Sequence, residues 1–448
     1  MTSSKHPRIS NESNDESGKL NPESLPPTDQ PGEKRKFHIF YGWWICLGGA
    51  FVMAMSSGIN FHGFGNFIIP LNREFGWNRT IVSSIVSLAR LEAGFIGPLE
   101  GWVVDRIGPR KLMIIGIPIM GIGFVLLSRV TGLFTFMVVY ILGVSLGNSV
   151  GMHTPASAAV ANWFNKKRGL AFGIMWSGVG IGGLIVPALG WLIEEYGWRD
   201  ASVYVGVFVT VVGIPIAMLM RHRPEQYGML PDGDKPVPSQ LTDDGGRIKV
   251  DLSKDYTAAE ALRTSSFWYL SLSIMSRSLV TGGVGLHLVP YFIGLGAEPI
   301  EAATYAGSVG LMSIPGRFGL SYLGDYFNRR YVMSVCLLVM TLAIILLARA
   351  ESIAESIPAI VAYSIGQGGI SVIPQALIAD YFGRRAFATI SGFRSTIQMI
   401  GIIIGPVISG YVYDSTGSYE KAFLGFAVAS IVSMFLVLMA RHPGAAPR

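Results

Sequence analysis

The apolar residues of this chain occur in long unbroken runs, and this feature restricts the possible fold more than any other. Half of the 448 residues are hydrophobic and only 14% are charged. Windows of about 20 apolar residues, the length that crosses a bilayer as a helix, recur along most of the sequence. Because backbone groups inside a bilayer must be hydrogen-bonded within the protein, such runs fold as helices. The sequence therefore predicts an all-α, polytopic membrane protein.

Twelve apolar windows are present, six on each side of a polar stretch. The predicted spans cover residues 41–69, 80–101, 112–129, 133–160, 169–193, 200–220, 266–295, 300–323, 331–349, 356–379, 387–412 and 421–440. Residues 222–264 contain four prolines and an Asp-Asp-Gly-Gly run, which indicate a linker. Residues 1–37, rich in Ser, Asn, Glu and Pro, indicate a disordered tail, and residues 442–448 a second short tail. The predicted domains are thus two six-helix bundles, 38–221 and 265–441.

The two predicted bundles are related in sequence. The stretch GWVVDRIGPRK at Gly101–Lys111 has a degraded copy, SYLGDYFNRRY, at Ser321–Tyr331, and Asp105 matches Asp325. A second pair repeats at nearly the same offset, NWFNKKRGLAFG from Asn162 against DYFGRRAFATIS from Asp380. The chain is therefore interpreted as two homologous membrane halves.

The basic residues predict the orientation of the chain. Short loops after even-numbered spans contain ten Lys and Arg residues, whereas the opposite loops contain six. Since short cytoplasmic loops carry the excess of Lys and Arg, both termini are expected in the cytoplasm of a plasma or inner membrane. The same distribution explains the net charge of +6, so no nucleic-acid partner is expected.

Two six-helix halves joined by a cytoplasmic linker resemble the major facilitator superfamily, whose halves are parallel repeats about an axis along the membrane normal. The loop after span 2 matches the signature of that family at Gly101, Asp105, Arg106, Gly108, Arg110 and Lys111. By this resemblance, Asp105, Arg106 and Arg110 belong to a gate in which Asp105 lies at the start of span 11, where a helix N-terminus attracts an anion. Asp325 is the equivalent gating residue. Tyr326 and Asn328 replace the Arg and Gly of the signature there, so a weaker latch is expected.

Four further strings narrow the resemblance. YGWW at Tyr41, FGWNRT at Phe75, KKRGLAFGI at Lys166 and LHLVPYF at Leu286 are similar to the monocarboxylate transporters and the bacterial oxalate/formate antiporter group. The resemblance implies a substrate-binding Arg in span 8. It also shows two departures: Ser313 stands where the monocarboxylate transporters have an Asp, and Gln398 stands where the oxalate transporters have a Lys. The second departure favours a monoanion, unless Arg90 or Arg394 supplies the missing charge.

Charged residues inside the spans are the leading candidates for a site, because a charge in the bilayer normally faces a cavity or a partner. Arg317 lies eight residues before Asp325, roughly 12 Å from the membrane boundary at about 1.5 Å per residue. Its planar guanidinium suits a carboxylate, and the alternative is a structural ion pair. Arg90 is a second candidate positive site, or a structural partner of Glu92 or Glu100.

Other polar residues of the spans are expected to complete the site. Arg394 and Glu100 are predicted to form a gating ion pair across the seam, with substrate contact by Arg394 as the alternative. Arg277 is either a substrate contact or a partner of polar groups in spans 4 and 10. The uncharged candidates of spans 4, 10 and 11 are Tyr140, Asn148, Tyr363, Gln367 and Gln398.

Two histidines occupy equivalent positions in spans 1 and 7. His62 and His287 each lie about 20 residues after their span begins, and imidazole titrates near physiological pH. The pair is therefore a candidate carrier of a coupled proton near the outer mouth. Hydrogen-bonded packing histidines are the alternative.

These features predict a secondary transporter of small organic anions, foremost monocarboxylates, that works as a monomer by proton symport or exchange for a counter-anion. Efflux of larger amphipathic anions or drugs is the alternative, suggested by Phe172 and Trp176. An enzyme is not expected, because no phosphate loop, metal-spaced Cys/His cluster or nucleophile elbow is present. No cofactor, metal or catalytic residue is predicted.

Overall fold

Each predicted apolar run forms a helix, and short turns join the helices. The computed structural model describes residues 39–77, 79–234 and 255–444, without the side chains of 79–84, 86, 87, 90–93 and 299. Its principal helices are α1 Gly42–Phe75, α2 Arg79–Ile107, α3 Pro109–Leu127, α4 Leu133–Trp163, α5 168–196, α6 198–219, α7 Ser265–Gly294, α8 299–326, α9 Arg329–Arg349, α10 Ile353–Phe382, α11 Phe387–Thr416 and α12 Glu420–Met439. The twelve helices and their order confirm the predicted all-α membrane architecture.

Helices α5 and α6 meet without the loop that the sequence predicted between residues 193 and 200. Gly197 adopts a positive φ of 79°, which turns the chain sharply within a continuous 52-residue helical segment, Arg168–Leu219. Glycine adopts this conformation without steric penalty, so the turn needs no additional residues. In the described part of the chain, nine helical segments are long and apolar enough to span a bilayer, and this segment is one of them.

Three helices contain wide π-helical turns. They cover Ser56–Phe61 in α1, Val139–Ser145 and Ser149–His153 in α4, and Gly316–Leu320 in α8. Such turns occur mostly at functional sites, because each re-aims the side chains that follow it. One of them carries Arg317.

Helices α1 and α3–α6 pack mainly with one another, as do α7–α12, whereas α2 packs most extensively against α11. Small residues allow close approach within each bundle, for example between Gly116 of α3 and Gly151 of α4. A smaller set of contacts joins the bundles, α2 with α11, α4 with α11 and α10, and α5 with α8 and α10. We call this set of contacts the seam.

The predicted polar linker forms short helical turns in its described parts, at Pro224–Tyr227, Pro231–Gly233 and Ala258–Leu262. Residues 235–254 and the predicted tail at residues 1–37 lie outside the described part of the chain. The turns lie at one end of the bundles, next to the connections at 108, 164–167, 327–328 and 383–386. We call this end the basic-loop face.

Candidate functional site

A cavity of about 320 Å³ lies at the seam, lined by α2, α4, α5, α10 and α11. Its titratable or charged lining residues among those described are Glu100, His153 and Arg394. Trp176, Gln375 and Gln398 add further polar atoms to the wall. Of the sequence candidates, the cavity therefore brings together Gln398, Arg394 and Glu100.

Three buried arginines of the second bundle lie at or near this cavity. They are Arg277, Arg317 and Arg394, and each residue is only 7–8% exposed. The guanidinium of Arg277 repels those of the other two, so the three positive charges form one cluster. Among the described residues, none of the three forms an ion pair, and each Nε lacks a hydrogen-bond partner. A buried charge without a counter-charge is costly, so an anion bound beside these arginines would lower that cost.

The Arg317 guanidinium crosses the seam. Its Nη1 donates a hydrogen bond of 2.6 Å to the backbone oxygen of Trp176 in α5. Arg277 and Arg394 instead donate to their neighbours Ser278 and Ser395, at 3.2 and 3.0 Å. Arg317 therefore forms no ion pair with any described residue, although a structural ion pair was the alternative prediction for it.

Several neutral polar atoms near the cluster are also unsatisfied within the described part of the chain. They include the Tyr363 hydroxyl, which lies close enough to Arg277 to interact with its charge, and Gln367 Oε1. Trp176 Nε1 and Asn148 Oδ1 are two more. Buried polar groups are normally hydrogen-bonded, so these atoms would be available to a polar ligand.

Tyr140 does not belong to this site. Its hydroxyl donates to Asn60 Oδ1 at 3.2 Å, and its ring packs on Phe64 and Phe136 inside the first bundle. In this conformation Tyr140 packs inside the first bundle and does not line the cavity, so its predicted contact with a substrate stays a prediction.

The two histidines are not equivalent, and neither lines the cavity. His287 Nδ1 is 3.1 Å from the Tyr419 hydroxyl, and Nε2 is 3.2 Å from the Pro406 oxygen, so both ring nitrogens are used in packing α7 against α11 and α12. His62 is exposed where α1 is interrupted after its π-helical turn. The contacts favour packing for His287 over the proton-carrying role. The side chains of Arg90 and Glu92 lie outside the described residues.

Glu100 and Arg394 share the cavity but do not form the predicted ion pair in this conformation. Glu100 accepts a hydrogen bond of 2.6 Å from Ser149 Oγ in α4. None of the ion pairs found among the described residues joins it to Arg394. The predicted gate pairing thus stays a prediction for another conformation.

On the basic-loop face, Asp105 binds the start of α11, as expected. Its carboxylate accepts hydrogen bonds from the Ala388 amide at 3.1 Å, the Thr389 amide at 2.8 Å and the Thr389 hydroxyl at 2.7 Å. We call these contacts the Asp105 latch. Arg106 and Arg110 are exposed, and the Arg106 guanidinium lies over the Trp102 ring. In this part of the face, the contact across the seam is therefore made by the Asp105 carboxylate.

The second copy forms a corresponding latch, and the expectation that it is weaker stays a prediction. Asp325 accepts from the amides of Gly169 and Leu170 at the start of α5, at 2.6 and 2.8 Å. Arg329 also binds it at 2.6 Å. We call these contacts the Asp325 latch. Across the seam Asp325 thus accepts two hydrogen bonds, against three for Asp105, and Arg329, which supplies the third contact, belongs to the same bundle as Asp325.

The loop charges also form buried pairs that the sequence did not reveal. Asp380 of α10 binds both Arg329 and Arg168, the latter across the seam at 2.8 Å. Arg384 pairs with Glu225 of the linker at 2.7 Å and donates to the Asn162 oxygen. The repeat that begins at Asn162 and Asp380 aligns Arg384 with Lys166, but it sets Asp380 opposite the neutral Asn162 and Arg168 opposite Ala386, so it gave no signal for these pairs.

The linker is bound to the same loops. The Asp232 carboxylate accepts from the amides of residues 165–167 at 2.8–3.1 Å, and Asp255 accepts from the Arg384 amide at 2.8 Å. His222 packs near Gly108, and burial lowers its pKa to about 4. Each bundle therefore has one loop capped by a linker carboxylate.

Comparisons with known proteins agree with this architecture. A family model described as Major Facilitator Superfamily matches residues 46–325 and 295–448. Monocarboxylate transporter 12 of Mus musculus is 24% identical over 417 residues, covering 88% of this chain and 85% of that protein. Monocarboxylate transporter 13 of Rattus norvegicus is 25% identical over 392 residues, covering 86% and 85%.

Solved structures support the fold alone. The human organic anion transporter MFSD10 aligns with a TM-score of 0.69 at 14% identity, covering 88% of this chain and 99% of that one. The transporter FucP in the outward conformation aligns with a TM-score of 0.68 at 16% identity, covering 90% and 99%.

Proposed function

The chain belongs to the major facilitator superfamily of membrane transporters, and from this premise we propose that it carries small monocarboxylates across the membrane by alternating access. The observation that carries the proposal is the cluster of Arg277, Arg317 and Arg394, whose buried charges have no described carboxylate partner. The named relatives, monocarboxylate transporters 12 and 13, support the same class of substrate.

Arg317 is the proposed anchor for the substrate carboxylate. It is held at the seam by a single bond to the Trp176 oxygen, which leaves most of its donors available. Arginine keeps its charge at any physiological pH and binds a carboxylate with two parallel hydrogen bonds. A carboxylate on Arg317 would neutralise one buried positive charge and allow the loaded carrier to change conformation at lower energy than the empty one.

The size of the cavity favours a small solute. Its volume of about 320 Å³ lies at the lower end of the range of roughly 300–1,000 Å³ usual for drug-sized ligands. The proposed substrates are therefore acids of a few carbon atoms rather than bulky amphipathic anions. Proton symport and anion exchange are both compatible with a site of this kind.

The two latches supply the proposed gate. The Asp105 and Asp325 latches both close the basic-loop face, which the positive-inside rule assigns to the cytoplasm. The structure would then correspond to a state closed on the cytoplasmic side, and release of both latches would open the cavity inward.

Counterflow in proteoliposomes tests the proposal. Vesicles loaded with unlabelled pyruvate or L-lactate are diluted into the labelled acid, and the initial rate of label uptake is measured. We expect Arg317→Gln to reduce the rate at least tenfold, since a lost charge-assisted pair of about 1.5–3 kcal/mol changes binding by about that factor or more. Arg106→Gln, an exposed change on the basic-loop face, is the matched control and should retain wild-type uptake. Wild-type rates in Arg317→Gln would contradict the proposal.

A further inference from the structure

We propose that a second cavity, on the basic-loop face, binds the phosphate of an anionic phospholipid, with Arg330 and Arg441 as the residues that hold the phosphate. We call this cavity the Arg330 pocket. The pocket is separate from the substrate cavity and is independent of the solute that the carrier moves. Its ligand is a phosphodiester lipid with a net negative charge, of which phosphatidylglycerol is a simple example.

The Arg330 pocket has a volume of about 600 Å³. It is formed by the ends of α8, α10 and α12, the start of α9 and the connection between α4 and α5. Its described lining includes four Lys or Arg residues and two Asp residues. Ligand pockets of roughly 300–1,000 Å³ hold drug-sized molecules, so a phosphate with its glycerol fits this space.

The acidic residues of the wall are already paired. Asp325 and Asp380 both bind Arg329, and the Asp325 contact measures 2.6 Å. Lys166, a third basic residue of the wall, pairs with Asp234 of the linker at 2.7 Å. Among the described residues, the remaining two arginines of the wall form no ion pair. The pocket therefore has two positive charges that an anion can match.

Arg330 is the first of these two arginines, and neutral neighbours hold its guanidinium in place. Nη2 donates a hydrogen bond to the Tyr331 hydroxyl at 3.1 Å, and Nη1 donates to the Ala440 oxygen at 3.5 Å. Its Nε is buried and has no hydrogen-bond partner in the described part of the chain. Arginine binds phosphate oxygens through charge-assisted, often paired hydrogen bonds, so this oriented group suits a phosphate.

Arg441 is the second arginine, and it follows the end of α12 directly. Its side chain is exposed, so it can turn toward a ligand in the pocket. The neighbouring His442 adds no charge. Its Nδ1 accepts a hydrogen bond from the Gly444 amide, and Nε2 contacts the Asp380 backbone oxygen, each at 3.1 Å. Recognition of the anion is therefore assigned to the two arginines.

Exposed apolar side chains continue from the pocket along α9. Phe327 lines the pocket and is 65% exposed, and Tyr331 is exposed beside it. Aromatic residues are enriched where a membrane meets water. Val335, Leu338 and Leu342 are also exposed and share a helix face with Tyr331. A lipid with its phosphate in the pocket would place its acyl chains along this face.

This apolar face favours a lipid over a soluble phosphate ester. A soluble ester would use the two arginines alone, whereas a lipid would also cover the exposed face of α9. The positive-inside rule assigns the basic-loop face to the cytoplasm. Anionic lipids are present in the cytoplasmic leaflet, and basic residues next to membrane spans bind their headgroups.

Native mass spectrometry of the purified full-length protein tests the assignment. Dioleoylphosphatidylglycerol or the zwitterionic dioleoylphosphatidylcholine is added at equal concentration in a mild detergent, and the lipid-bound fraction is measured. The wild type should prefer phosphatidylglycerol. Arg330→Gln and Arg441→Gln should each weaken its binding about fivefold, and the double variant about 30-fold, as expected for the loss of one and two basic contacts.

Two variants serve as controls. Arg110→Gln is the matched control, because Arg110 stands at the position of Arg330 in the first copy of the repeated loop and is exposed. It should bind phosphatidylglycerol as the wild type does. Arg330→Lys retains the positive charge and should retain most of the binding, which separates the charge from the packing of the loop.

Four results would overturn the assignment. Equal binding of the two lipids by the wild type would show that the headgroup charge is not recognised. Unchanged binding of phosphatidylglycerol by the double variant would exclude the two arginines, and an equal loss in Arg110→Gln would show a general effect of surface charge. Full displacement of the lipid by an equal concentration of glycerol 3-phosphate would assign the pocket to a soluble phosphate ester instead.

Discussion

Removing the negative charge of Asp105 should open the basic-loop face. The change Asp105→Asn keeps the shape of the side chain and one acceptor oxygen, but its amide nitrogen cannot accept from the Ala388 or Thr389 amides. The native carboxylate accepts three hydrogen bonds there, at 2.7–3.1 Å. The substitution therefore isolates the contribution of the charge and of one acceptor.

The expected magnitude follows from these contacts. A hydrogen bond to a charged group contributes about 1.5–3 kcal/mol, and at least one is lost. The loss shifts the equilibrium between closed and open basic-loop faces by roughly 10- to 100-fold toward the open state. Because the Asp325 latch is intact, we expect a mixed population rather than complete opening.

Spin-label distances across the face measure this shift. Arg110 and Arg385 are exposed and lie on opposite bundles, so cysteines there can be labelled with nitroxides. The native Cys46 and Cys336 are buried and should not react, or can be replaced by serine. Double electron–electron resonance of Asp105→Asn should show a longer-distance population that the wild type lacks or holds weakly.

Two control variants make the result decisive. Asp325→Asn, the equivalent change in the second latch, should produce a shift of similar direction. Arg106→Gln should produce none, because Arg106 is exposed over Trp102. A wild-type distance distribution for Asp105→Asn, or an equal shift for Arg106→Gln, would refute the latch.

Three further predictions concern the seam and its loops. Gly101→Ala should abolish pyruvate counterflow, because the added Cβ would collide with the Ala388 backbone oxygen. Gly307→Ala is the control and should keep the wild-type rate, because the space around Gly307 is open. Equal counterflow rates for the two variants would exclude close packing of α2 on α11. Arg168→Ala should lower the free energy of unfolding by about 1.5–3 kcal/mol, because it removes the bonds to the Phe164 oxygen and to Asp380, which keeps Arg329 as a partner. Lys166→Ala, at an exposed pair, should leave the thermal midpoint unchanged, and similar midpoints for both variants would contradict this view. Burial lowers the pKa of His222 to about 4, so protonation of His222 is disfavoured in the folded protein, and stability should fall as pH drops from about 6.5 toward 4. The thermal midpoint of His222→Gln should depend less on pH over this range. An unchanged pH dependence of the midpoint would contradict the lowered pKa of His222.

The sequence was sufficient to predict the helices and the Asp105 latch. Apolar runs determine where helices cross the membrane, and the resemblance of Gly101–Lys111 to the superfamily signature implied that Asp105 binds the start of α11. Both are local signals, because each depends on the order of residues within one segment. The break predicted between residues 193 and 200 is present as a sharp turn at Gly197, but its shortness was not predicted, since the sequence does not state whether Gly197 will adopt a positive φ.

The candidate site was only partly predictable. Arg317 and Arg394 were identified as buried charges, but the sequence did not show that Arg277 joins them or that no described carboxylate pairs with them. The contacts of Tyr140 with Asn60, and of His287 with Tyr419 and Pro406, join residues 80 to 132 positions apart in the chain and were not foreseen. Such contacts depend on how helices rotate and pack, which helical periodicity alone does not specify.

Direct binding of pyruvate to the purified protein tests the central claim, that an unpaired arginine cluster at the seam holds a carboxylate. Isothermal titration should give a measurable Kd for pyruvate with the wild type and with Arg106→Gln. Arg317→Gln should weaken binding by roughly 10- to 100-fold, as expected for one lost charge-assisted pair. Pyruvamide, a neutral analogue of the same shape, should bind none of these proteins measurably. Equal Kd values for pyruvate with the wild type and Arg317→Gln, or equal binding of pyruvamide and pyruvate, would contradict the account.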